Sequence, residues 1–212
     1  MKKIKILLLL LSTPVLLTLS CEIYRTDLQQ ANFYYLNPEK NLSEIGRVVI
    51  VELNNSSSYP QISGDVTETL FQALQKKHIF GLTTLRQNDP MWRSLQIDLR
   101  APHTFKKLSD IQKQLGCNTI ITGTVTGYRP YPHTSVSLHL KLIDLTDGSL
   151  IWGLEQIWDS ADKATEARIQ QYCKQQGQTG PESMREQLTT ISSLRFIKFV
   201  VYEVAESLRP KN

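Results

Sequence analysis

Four histidines, His78, His103, His133 and His139, are the side chains best suited to move a proton near neutral pH. None stands in a pattern that such chemistry requires. The chain has no H-E-x-x-H pair for zinc, no G-x-S-x-G nucleophile elbow, no P-loop and no glycine-rich dinucleotide turn. His139 falls on the outward set of an alternating segment and reads as a solvated or lightly packed histidine. Glu52 ends an apolar run and reads as a strand-end residue facing solvent rather than a buried functional carboxylate. Asp89, Asp98 and Asp110 lack ligand spacing. Catalysis needs an acid, a base or a nucleophile in mutual reach. The pattern therefore implies no enzyme, no metal and no cofactor.

The stretch Arg129-Pro130-Tyr131-Pro132-His133 offers a different chemistry. Arg and Tyr are residues that anchor protein contacts, and two prolines stiffen the chain between them. Arg129, Tyr131 and His133 are the candidate partner-binding residues. The same stretch also fits a rigid hairpin tip with no partner.

Three cysteines complete the reactive groups. Cys21 follows the opening MKKIKILLLLLSTPVLLTLS. Lys2, Lys3 and Lys5 precede an apolar stretch of about 14 residues, the length of a signal-peptide core and short of the roughly 20 that span a bilayer. Residues 17–21, Leu-Thr-Leu-Ser-Cys, resemble a bacterial lipobox, with Thr18 where such signals usually carry Leu. The resemblance implies a signal peptide over residues 1–20. Cys21 would then be the new amino terminus, bearing a diacylglycerol thioether and an N-acyl chain such as palmitate. An ordinary cleaved signal and an uncleaved anchor are the alternatives. Each buried CH2 contributes about 0.8 kcal/mol, so two or more chains hold a protein on a membrane. Glu22, rather than the Asp usual for inner-membrane retention, points to the periplasmic face of the outer membrane. Cys117 and Cys173 either pair as one disulfide or sit as two separate buried thiols. Neither has a histidine at zinc-ligand spacing.

The 212-residue chain carries a formal charge of +4, which loss of the three leader lysines would lower to +1. No basic patch with interleaved aromatics argues for nucleic acid. About 190 residues remain after the leader, enough for one domain with a full core.

Periodicity defines the elements that carry these residues. Residues 22–42 are polar around the trio Phe33-Tyr34-Tyr35 and read as a tether whose aromatics dock on the domain. Residues 47–53 form a nearly continuous β-branched run, as in a strand buried on both faces. Val66, Leu70, Phe71 and Leu74 mark one helix face, capped by Ser63 or Asp65. Residues 79–85 read as a strand and 87–102, with two prolines, as a loop or short irregular piece. Phe105, Leu108, Ile111 and Leu115 mark a second helix, capped by Thr104 and stopped by Gly116. The period then changes to two over residues 118–128 and 135–143. A turn at Thr146-Asp147-Gly148 leads to a return strand over 150–158. Trp152 and Trp158, at even spacing, share one face under a covering helix. Helices over 162–175 and 188–208 close the chain. This order predicts an α/β fold, a two-layer sandwich whose mixed sheet joins parallel strands to an antiparallel meander. The divisions are residues 1–20 as signal peptide, 21–45 as lipid-anchored tether and 46–212 as a single α/β domain with C-terminal helices.

Residues 114–128, Gln-Leu-Gly-Cys-Asn-Thr-Ile-Ile-Thr-Gly-Thr-Val-Thr-Gly-Tyr, and residues 142–152, Leu-Ile-Asp-Leu-Thr-Asp-Gly-Ser-Leu-Ile-Trp, resemble one group of envelope proteins. The group comprises the TolB amino-terminal domain, the curli secretion lipoprotein and the lipoprotein activators of penicillin-binding proteins. The likeness spans residues 47–158. Departures are Asn118, more usually acidic, and Asp147, often Thr. The resemblance implies an α/β domain that binds another envelope protein. It also admits a rival role as a subunit of an outer-membrane export assembly. Within these segments Gly123 is expected to permit a close backbone approach, Asp144 to accept backbone N–H groups across the turn, and Trp152 to fill the core.

Overall fold

The structure is a computed structural model that describes residues 34–95, 105–176, 187–190 and 192–209. The leader, Cys21, Asp98, His103, the expected cap Thr104 and the expected break at 177–181 lie outside the described residues.

Among the described residues seven strands form one mixed sheet: β1 (Tyr34–Leu36), β2 (Arg47–Val51), β3 (Asn54–Asn55), β4 (Gly81–Leu85), β5 (Thr119–Arg129), β6 (Ser135–Asp144) and β7 (Leu150–Asp159). The order across the sheet is β1-β7-β6-β5-β2-β4, with β3 paired to β5. β2 runs parallel to both β4 and β5. That position explains its unbroken apolar run. Val48 and Ile50 enter the core on one face, Val49 and Val51 the core on the other. β5, β6 and β7 form the expected antiparallel meander.

Helices α1 (Ile62–Lys77), α4 (Lys163–Gln175) and α5 (Ser193–Ser207) contribute to the larger core. Leu70 and Leu74 of α1 and Phe196, Val200 and Val204 of α5 are buried there with Trp152 and Trp158. On the opposite face α3 (Phe105–Leu115) packs Leu108 and Ile111 over Val49, Val51, Leu85 and Ile120. Away from α3, alternating residues of the meander on that second face reach solvent. Lys141, Glu155 and Ile157 are exposed there.

Several expectations shift. The folded chain takes in residues before 46. Residues 34–45, expected as the end of the tether, are part of the fold: β1 pairs with β7, Tyr34 opposite Leu154, and Leu42 is buried in the larger core. α1 starts at Ile62, so Ser63 and Asp65 lie inside its first turn and neither caps it. Within the stretch read as a loop, α2 (Pro90–Leu95) forms. Proline suits a first helical position, and the Asp89 carboxylate accepts from the Met91 N–H at 3.0 Å. Residues 187–190 are helical and α5 begins at Ser193, so the helix expected over 188–208 is interrupted at Ser192. Cys117 and Cys173 are both free and buried. They belong to the two different cores, on opposite sides of the sheet.

The turn after β6 is tied to the chain before β2. Lys40 Nζ lies 2.9 Å from Asp144 Oδ2 and 3.1 Å from Asp147 Oδ2. Asp144 Oδ1 accepts from the Thr146 N–H, as expected, and Asp147 Oδ1 from the Ser149 N–H. Hydrogen bonds from Ser149, with help from Lys40, bring the Asp147 carboxyl down to about 2. Burial pushes Asp144 up, but the bonds from Thr146 and Lys40 outweigh it. Gly148, at φ +73°, takes the left-handed turn position.

A second tie crosses the helical layer. Trp158 Nε1 donates to Glu203 Oε2 at 2.6 Å, and Arg168 Nε lies 2.9 Å from Glu203 Oε1. This joins β7, α4 and α5. Burial raises the Glu203 carboxyl above its ordinary value, against the pull of Arg168 and Trp158. Below that ordinary value both folded and unfolded chains hold the proton. As pH rises through the folded value, the proton and its share of stability are lost. Arg168→Met would leave a buried carboxylate without its cation, costing about 3 kcal/mol near pH 7. The penalty should shrink toward pH 4.5 as Glu203 protonates. Urea denaturation at both pH values checks this, and an equal penalty at both would refute it.

Gly123 faces its partner strand at close range. A Cβ there would lie 2.2 Å from the His139 carbonyl oxygen and 2.8 Å from Leu140 Cδ2. Gly123→Ala should destabilise the domain by about 1–3 kcal/mol through overpacking, seen as a lower thermal midpoint. Gly64→Ala, with nothing within 4 Å of its Cβ position, is the control and should not lower it.

Candidate functional site

The β5–β6 hairpin carries all three candidate residues at its tip. β5 is eleven residues long and continues past the last residue of β2, because β3 extends that side of the ladder, with Asn54 opposite Thr124. A bulge between Val125 and Gly127 shifts the register before the tip. Ser135 pairs with both Arg129 and Asp159, which places all three strands side by side at this end.

Arg129 closes the loop. Its Nη2 lies 2.8 Å from Asp159 Oδ2 and its Nε donates to the His133 carbonyl at 3.4 Å. Thr134, only 1% exposed, donates its hydroxyl to the Pro130 carbonyl at 3.4 Å. Its own carbonyl accepts from the Ser160 N–H at 2.9 Å. Both ends of the loop are thus anchored. The Tyr131–Pro132 peptide bond is cis. Tyr131 projects from the tip at 82% exposure. His133 is also exposed.

The structure brings the three residues to one loop and gives them different tasks. The Arg129 guanidinium holds Asp159 and the loop, so it positions the tip. Tyr131 is the side chain that the tip presents. Ile157, 69% exposed on β7, faces outward beside Ser137. The alternation that makes 157 an outward position was legible in the sequence, but an apolar residue there carried no signal of its own. His139, on the same face, lies between Thr124 and Glu155 in the ladder. Glu52 accepts from the Gln87 N–H at 2.9 Å, a tie between two loops at the strand ends. Among the described residues no three His, Cys, Asp or Glu side chains group as a metal site.

No family model and no curated protein matches the sequence. Solved structures do. The PelC dodecamer from Paraburkholderia phytofirmans aligns over 84% of this chain and 96% of its own, at 14% identity and a TM-score of 0.48. Lipoprotein GNA1162 from Neisseria meningitidis aligns over 63% of this chain and 99% of its own, at 15% identity and a TM-score of 0.44. The LpoB C-terminal domain from Salmonella enterica aligns over 57% of this chain and 86% of its own, at 20% identity and a TM-score of 0.40. These solved structures, one of them a lipoprotein, are similar to this chain at low sequence identity.

The Arg129–Asp159 pair is half exposed, so its worth lies in order more than in stability. Asp159→Asn keeps the bond to the Ala161 N–H and removes the charge. It should cost under about 1 kcal/mol. Amide exchange over residues 131–134 should nevertheless accelerate. Unchanged exchange at the tip would show that Arg129 does not hold it.

Proposed function

We propose that the chain is an envelope lipoprotein, held at the periplasmic face of the outer membrane by lipid on Cys21. Its α/β domain is a non-catalytic module that binds another envelope protein through the hairpin tip. The observation that carries this reading is the tip itself. A large amphipathic ring, Tyr131, stands almost wholly exposed on a loop fixed at both ends. Ordering such a ring in advance lowers the entropy lost on association. Tyr is also among the residues that dominate interface energetics. The leader and the resemblance of residues 17–21 to a lipobox support the membrane location.

The export-subunit alternative would draw its membrane hairpins from strands of about 9–11 residues. Among the described residues the strands of that length, β5, β6 and β7, form the meander of the domain's own sheet.

Two measurements test the proposal. The first is the intact mass of membrane-extracted chain beside Cys21→Ser. A mass gain that matches acylation, lost with membrane attachment in the variant, supports the anchor; a free Cys21 thiol overturns it. The second replaces Tyr131 with a photo-crosslinking residue in cells. A discrete crosslinked envelope protein, absent when the crosslinker sits at exposed Lys113 of α3, supports the module. No adduct at 131 overturns the tip as the binding surface.

A further inference from the structure

The helical layer carries a second surface at the end opposite the hairpin. α1 leaves the strand ends near β3 and returns to the start of β4, so its last residues lie at the far end of the sheet. α4 starts just after β7 ends, and Lys77 of α1 pairs with Glu206 of α5. Between these three helices lies a groove of about 1020 Å³. Lys76, Lys77, Lys198 and Arg209 line it, with His78, and among the described residues no carboxylate does. Glu206 lies beneath, engaged by Lys77 and by Arg209 at 3.2 Å. Lys77 also sits over the Tyr202 ring, 5.3 Å from its centroid. The side chains of Lys76, His78 and Lys198 are exposed and make no hydrogen bond or ion pair among the described residues.

We propose that this groove binds an acidic segment of a partner protein. The charge is concentrated: a chain of +4 overall, three of whose lysines stand in the leader, gathers four Lys and Arg in one concavity. Lys76 and Lys77 also complement the carboxyl end of α1, but that role does not account for Lys198, which sits within α5, clear of its last turn. A peptide suits the site better than a compact phosphate. α1 and α4 end here, at His78 and Gln176. Helix carboxyl ends carry partial negative charge and oppose a phosphate seated against them, whereas helix amino ends would favour it. Spaced cations on long stems fit carboxylates distributed along a chain. The side-chain amides of Gln72 and Gln176 offer both donor and acceptor to its backbone. The Tyr172 and Tyr202 rings, 4.9 Å apart, give the groove an apolar wall.

The inference is independent of the hairpin reading and has its own readout. The full chain in detergent is titrated with hexaglutamate, hexalysine and inorganic phosphate. Hexaglutamate should bind, more weakly as salt is raised through about 0.15 M, and hexalysine should not. The double variant Lys76→Glu/Lys198→Glu should weaken hexaglutamate at least about tenfold, with an unchanged far-ultraviolet spectrum. If it misfolds, Lys76→Gln/Lys198→Gln is used and should weaken it at least about threefold. Tyr131→Ala should leave hexaglutamate binding intact, so loss of the tip and loss of the groove are told apart. Absence of hexaglutamate binding overturns the proposal. So does binding indifferent to the lysine variants, or inorganic phosphate that competes it away at equal concentration.

Discussion

Everything in this domain hangs on β5 having to satisfy two ladders of different kinds. One edge pairs in parallel with β2 and β3, the other antiparallel with β6. Parallel bonds are slanted and evenly spaced, antiparallel bonds perpendicular and alternating, so the strand must twist and bend to serve both. The chain answers with Gly123, against which the His139 carbonyl presses, and with the bulge between Val125 and Gly127. A bulge bends its strand and re-aims the residues beyond it. Here those residues are Arg129 and the hairpin tip. The geometry that joins the two halves of the sheet is therefore the geometry that points Tyr131 away from it.

Much of this was written in local patterns. The double-sided burial of β2 shows as consecutive β-branched residues, the meander as strict alternation, and the last turn as Thr146-Asp147-Gly148. These signals are local because each depends on a side chain's own face. The start of the fold was not legible. A three-residue strand such as β1 has no period to read, and its stability comes from β7, more than a hundred residues away in sequence. The Lys40 tie to Asp144 and Asp147 has the same origin. Nor did the two prolines of residues 87–102 announce α2, since proline marks a break and a helix start alike.

The candidate surfaces divide along the same line. The three tip residues are near neighbours in sequence, so their meeting was predictable. That Arg129 would be occupied by Asp159 was not, because the pair spans thirty residues. The basic groove is built from α1, α4, α5 and Ser43. None of these segments is a basic run by itself, and a search for contiguous positive charge passes over all of them. Surface chemistry assembled by helix packing is invisible to composition, whereas chemistry borne on one loop is not.

The placement of Cys117 and Cys173 on opposite sides of the sheet bears on how the chain would fare against an oxidant. The folded domain shields both thiols by burial, and burial also raises the Cys117 thiol above its ordinary value, which suppresses the reactive thiolate. Before the sheet closes, neither protection exists. Pairing of the two with each other would bridge surfaces that belong to separate cores, so such a bridge is a record of a chain that never reached its native topology. A Cys117–Cys173 bridge would thereby distinguish chains that closed the sheet from chains that did not.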